Sequence, residues 1–133
     1  MKHTQPVHDF LKQRFDITLK IWHTIFLDPQ DKSVKNIQPI LDAMDPIPLN
    51  ALYQVTQVSK SAALALTLLY QEDSPDKERL SLQDALNVAR VDEHFQQSKN
   101  GFVEGSHDFD KINTLTTLAS ARSVVQLAML RDF

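Results

Sequence analysis

The sequence predicts a mainly α protein, an orthogonal helical bundle of about five helices with one short extended segment near residues 17–26, and residues 1–133 read as a single helical domain. Three observations carry this. Only two of the 133 residues are glycine, Gly101 and Gly105, and both fall in one five-residue stretch, whereas hairpin-rich β folds draw on glycine at many tight turns. Apolar residues recur three and four apart through most of the chain. One stretch, Ala62 to Tyr70, is apolar nearly all round, as expected of a helix at the centre of a bundle.

The first helix is expected over residues 5–15, where Pro6 suits a first-turn position and Val7, Phe10, Leu11 and Phe15 follow at helical spacing. Ile17, Leu19 and Ile21 then alternate with Thr18, Lys20 and Trp22, the two-residue period of extended backbone. A lone strand leaves its backbone groups unpaired, so this segment needs a partner that the sequence does not display. After Asp28-Pro29, Ser33 caps a helix bearing Val34, Ile37, Ile40, Leu41 and Met44, with Pro39 an internal irregularity and Asp45-Pro46-Ile47-Pro48 its end.

From Leu49, the pattern Leu52, Val55, Ser59, Ala62, Ala63, Leu66, Leu69 and Tyr70 predicts one long helix. Gln71 to Arg79 reads as a charged loop, its Lys77-Glu78-Arg79 run solvated. Ser81 with Asp84 three residues later opens the next helix as a capping box; Leu82, Leu86, Ala89 and Phe95 form its inner stripe, and Asn100-Gly101 stops it. A last helix follows Ser106 or Asp108, with Phe109, Ile112, Leu115, Leu118, Ala119, Val125, Leu127 and Leu130 expected on a buried face. No repeat, low-complexity tract or linker interrupts the pattern.

Composition excludes several functions. With no cysteine there are no disulfides, zinc–thiolate sites or thiol nucleophiles. Two glycines four residues apart cannot write a phosphate-cradling loop or a dinucleotide fingerprint. A net charge of -3 argues against a nucleic-acid surface. The nine-residue apolar run is too short for a membrane span of about 20 residues, so no membrane insertion is expected. Residues 1–6 resemble neither a secretory nor a transit peptide. Acidity is local: Asp92, Glu93, Glu104, Asp108 and Asp110 stand against Lys99 alone, and they coincide with the glycines.

Glu104 and His107 make a Glu-x-x-His pair, with His94 and Asp108 nearby. Carboxylate-bridged di-iron bundles need a second such pair and two further helical glutamates, and no second copy exists. The simpler reading is a histidine at a helix start with acids near the positive end of its dipole. No nucleophile elbow supports a hydrolytic triad. His3, His8 and His23 read as exposed or snorkelling side chains, and Trp22 as a packing or interface residue.

The stretch Arg90-Val91-Asp92-Glu93-His94-Phe95-Gln96 to Gly101-Phe102-Val103-Glu104-Gly105-Ser106-His107-Asp108 resembles the assembly chaperones that bind the α subunit of the F-type ATP synthase head, the Atp-twelve family. In that family a helix ends in Arg, an aliphatic residue, two acids, an aromatic and Gln. Four residues then precede Gly, and an aliphatic-Glu pair and His-Asp follow. Arg90, Val91, Asp92, Glu93, Phe95, Gln96, Gly101, Val103, Glu104, His107 and Asp108 fit without a gap. More loosely, Lys60-Ser61 and the run to Leu69 resemble the family's central helix, Ser81 to Ala89 the helix leading into the motif, and residues 7–44 its entry helix, extended crossing and following helix.

Two positions depart, since Asn100 stands where the family usually has Trp and Gly105 where it often has a bulky residue. Phe102 could replace part of the lost aromatic contact. The family's N-terminal β-rich domain has no counterpart in these 133 residues, which would make the chain an excised domain, part of a split protein or a reduced homologue. If it is excised, the unpaired segment at 17–26 would pack beside the missing domain.

The resemblance implies a non-enzymatic chaperone without cofactor or metal, monomeric, whose partner is the unassembled ATP synthase α subunit and which covers the surface later taken by the β subunit. It implies the mitochondrial matrix, or the cytoplasm of an alpha-proteobacterium. A diverged structural or adaptor subunit is the alternative, with a Glu-x-x-His metal protein behind it. Partner contact is assigned to Glu104 with Phe102, Val103, Asp92, Glu93 and Asp108, because a carboxylate flanked by apolar groups suits reversible recognition. For Asp92, Glu93 and Asp108, helix-end charge complementation and pairing with Arg90 or Lys111 compete equally. Arg90, Gln96 and His107 are expected to brace the loop, and Gly101 to cap a helix.

Overall fold

The computed structural model describes residues 4–21, 28–72, 79–101 and 105–130, the side chains of Ser106 and His107 excepted. Among these residues there are seven helices and no strand: α1 (Gln5–Phe15), α2 (Asp31–Asp42), α3 (Pro46–Ser59), α4 (Ala62–Tyr70), α5 (Leu82–Ala89), α6 (Val91–Asn100) and α7 (Ser106–Leu130). The mainly α class stands. The count exceeds five because two of the expected helices are each broken once.

The first break lies at Ser59-Lys60-Ser61, which divides the helix expected from Leu49 to Tyr70. Lys60 adopts a left-handed conformation with φ 55°, and Ser61 turns extended and caps α4, its Oγ accepting from the Leu64 N–H at 3.1 Å. Buried Ser59 donates its hydroxyl back to the Val55 carbonyl at 2.7 Å, so the kink leaves no buried hydroxyl unsatisfied. The helix also starts earlier than expected, at Pro46 rather than Leu49. Prolines are tolerated there because first-turn N–H groups have no intrahelical partner.

The second break is at Arg90, the last cap of α5 and the first of α6. Its N–H donates to the Leu86 carbonyl at 3.1 Å, and its carbonyl accepts from the His94 N–H at 2.9 Å. Ser81 caps α5 as expected: its Oγ accepts from the Asp84 N–H at 3.0 Å and donates to the Asp84 carboxylate at 2.6 Å.

Residues 17–21 of the expected extended segment form neither helix nor strand; residues 22–26 of it lie outside the described residues. The segment's partner is α2, through side chains. Ser33 donates to the Thr18 carbonyl, Asn36 to the Asp16 carbonyl, and Gln30 accepts from the Lys20 N–H. Burial falls away along the segment, with Ile17 buried, Leu19 half-buried and Ile21 exposed, so the expected alternation does not carry Ile21 inward. Helix α2 runs straight through Pro39. Asp16, left-handed at the end of α1, pairs with Lys12, which holds its carboxyl below the ordinary carboxylate value.

Helix α4 is the hub. Leu64 to Leu69 are all buried, and α1, α3, α5 and α7 pack around it. Val7, Leu11, Leu52, Val55, Leu86, Leu118 and Val125 complete the core. Arg122 ties α7 to the approach of α5, donating to the Leu80 carbonyl at 3.3 Å.

Two expected inward faces are corrected. Phe95 is 65% exposed, because the turn at Arg90 takes α6 off the axis of α5, and α6 contributes no buried residue. On α7, Thr114, Leu118, Ala121 and Val125 face the core, whereas Phe109, Ile112, Leu115, Leu127 and Leu130 are exposed. One long helix carries more apolar residues than one packed face holds, and these five lie away from the line through Leu118 and Val125.

Candidate functional site

The expected site spans the α6–α7 end of the molecule. Arg90 is buried, 4% exposed, and its guanidinium pairs with the Glu93 carboxylate one turn on. A cation that deep is held by a charged partner, so Glu93 serves the junction. Asp92 points elsewhere. It is exposed beside Val91 and Phe95, themselves half or more exposed, while the Lys99 ammonium sits 5.9 Å from the Phe95 ring centre. Helix α6 thus shows solvent one face combining an aliphatic, an aromatic, an acid and a base.

Gly101 ends α6 with φ 83°, its N–H donating to the Gln97 carbonyl at 2.9 Å. Gly105 opens α7 with φ 93°, its carbonyl accepting from the Phe109 N–H at 3.3 Å. A Cβ at either would meet nothing within 4 Å, so backbone conformation rather than crowding calls for glycine at both. Phe102, Val103 and Glu104 lie between them, outside the described residues; the same holds of His3, Trp22, His23, Lys77 and Glu78. Asp108 is exposed in the first turn of α7, where the helix dipole favours an acid. Gln96 is exposed, His8 half-buried, and the backbone of His107 is helical. Among the described residues no three His, Asp or Glu side chains are grouped to hold a metal ion, and no described helix is long and apolar enough to cross a membrane.

The structure adds two residues to this end that were assigned inward from the sequence. Phe109 and Ile112, 78% and 64% exposed, put apolar surface on the first turns of α7. The signal that could have found them is angular: on a helical wheel they lie opposite Leu118 and Val125. A second feature is an open groove of about 750 Å³ where α3 begins beside the end of α7, lined by Met44, Ile47, Tyr70, Val124, Leu127 and Met129 among others. It continues into a hollow of about 470 Å³ between α3 and the middle of α7. Desolvation, reinforced by the nearby Asp45 charge, raises the Tyr70 phenol above its ordinary value of 10.0.

Fold and site define an all-helical domain with a central apolar helix and an exposed acidic and aromatic end. Its fold is similar to part of Atp12 from Paracoccus denitrificans, whose crystal structure superposes with a TM-score of 0.79 over 95% of this chain at 21% identity. The chain spans about half of that structure, 51% of its length. No protein-family model and no curated protein matches the sequence.

Proposed function

We propose that this chain acts in assembly of the F-type ATP synthase head as a chaperone without catalytic activity. It binds the unassembled α subunit and shields the surface that later meets the β subunit. The observation carrying this reading is that a chain with the ungapped Arg90–Asp108 motif adopts an Atp12-like fold, in which α6 buries nothing and Val91, Asp92, Phe95, Asp108 and Phe109 are exposed. Exposed apolar groups set among carboxylates match a basic and apolar surface on a partner: charge steers the encounter and burial supplies affinity. In this reading Glu104 is the principal contact, with Phe102, Val103, Asp92 and Asp108 beside it, and Glu93 acts through Arg90 by holding the junction. The setting is wherever that head is assembled, the mitochondrial matrix or the cytoplasm of an alpha-proteobacterium.

The test is capture of free α subunit by the purified chain. Glu104→Lys and Asp92→Lys, both checked for helical content, should lose most of the capture, and the wild-type chain should slow aggregation of the α subunit. Undiminished capture by folded Glu104→Lys protein would remove the assignment.

A further inference from the structure

The exposed face of α7 matches itself. Phe109, Ile112, Thr116, Ala119, Ser120, Ser123, Leu127 and Leu130 fall within an arc of about 100° on a helix of 3.6 residues per turn. This arc bears no charged side chain along its length; Asp108, Asp110, Lys111 and Arg122 all lie off it. Its four large members, Phe109, Ile112, Leu127 and Leu130, are 78%, 64%, 62% and 65% exposed. They sit as two pairs at the two ends, with small residues between.

The geometry points to a homodimer formed by antiparallel packing of α7 on α7 of a second copy, about a two-fold axis between Ala119 and Ser120. In that register Phe109 meets Leu130 of the second copy, Ile112 meets Leu127, Thr116 meets Ser123 and Ala119 meets Ser120. Each pairing recurs with the copies exchanged, as a two-fold interface demands. Large residues at the ends and small ones at the axis suit two straight helices crossing at a shallow angle with closest approach at the centre. Burying the centre costs little at Ser123, whose hydroxyl already donates to the Ala119 carbonyl at 3.0 Å. Side chains this exposed present about 500 Å² per copy, and with the small residues and the Ile47 rim of α3 two copies bury about 1,400 Å², inside the range of a stable dimer.

The test is the mass of the whole chain in solution by light scattering or sedimentation at tens of micromolar. The wild-type chain should have twice the mass of one chain. Ala119→Arg and Ile112→Asp, each at a position away from the core, should halve that mass with helical content unchanged. A chain without cysteine allows a direct check of register. Ser120→Cys, next to its own copy across the axis, should form a disulfide-linked dimer on mild oxidation, and Asp110→Cys, off the arc, should not. A monomeric wild-type chain overturns the proposal. So does a dimer that survives both substitutions, crosslinking at Asp110→Cys rather than Ser120→Cys, or a face that proves to bind the α subunit while the chain alone stays monomeric.

Discussion

Arg90 and Glu93 form an ion pair whose two sides are buried unequally. The Arg90 guanidinium is 4% exposed, while the partner Glu93 side chain keeps 31%. Removing the acid takes a charged partner from a buried cation, whereas removing the base leaves a carboxylate that water still reaches. Glu93→Ala should therefore destabilise by about 2 kcal/mol, below the 3–5 typical of a fully buried pair because of that residual exposure, and Arg90→Met by less. Urea titrations of the two variants check the order. Tyr70 provides the pH signature. Its phenol has a raised value in the folded chain, so folding favours the protonated form. The associated stability is fully present below pH 10 and is lost as pH rises through the raised value. Thermal midpoints of the wild-type chain should fall more steeply above pH 10 than those of Tyr70→Phe.

At the scale of elements, the two breaks show what hydrophobic periodicity can and cannot report. Both Ser59-Lys60-Ser61 and Ala89-Arg90-Val91 lack glycine and proline, so the helical period runs through them undisturbed. Each bend depends instead on a side chain with a partner three residues on: a capping hydroxyl at Ser61 that accepts from the Leu64 N–H, and at Arg90 a buried guanidinium paired with Glu93. That 17–21 leaves the helical pattern was legible from alternation, but no strand forms there, and its hydrogen bonds come from Gln30, Ser33 and Asn36 on and before α2, which no strand pattern announces. At the α3–α4 break the chain spends a left-handed non-glycine residue to turn. The cap that follows fixes where α4 begins. Ser61→Ala should cost about 1 kcal/mol, read as a lower urea midpoint at unchanged m-value. Ser61→Asp, which keeps an accepting oxygen at the cap, should restore most of it.

For the whole molecule, the question is how a chain of 133 residues keeps a stable core while leaving so much of α6 and α7 apolar and exposed. The answer is the placement of α4. Leu64, Leu66 and Leu68 have no exposed area, and Leu69 only 2%, because four other helices surround this one short helix. That burial frees α6 and one face of α7 from any duty to the core. Scaffold and exposed surface are therefore separable. Leu66→Ala opens a cavity at the hub and should cost about 3–4 kcal/mol, a large share of the 5–15 available to a domain. The result should be a thermal midpoint lowered by roughly 10–20 °C, from about 3–5 °C per kcal/mol at this length. Leu127→Ala, at a leucine of the same size and 62% exposed, should leave the midpoint of the dissociated chain within a degree or two while weakening self-association. If instead both substitutions lowered stability alike at low protein concentration, the outer face of α7 would be part of the core and the separation of scaffold from surface would fail.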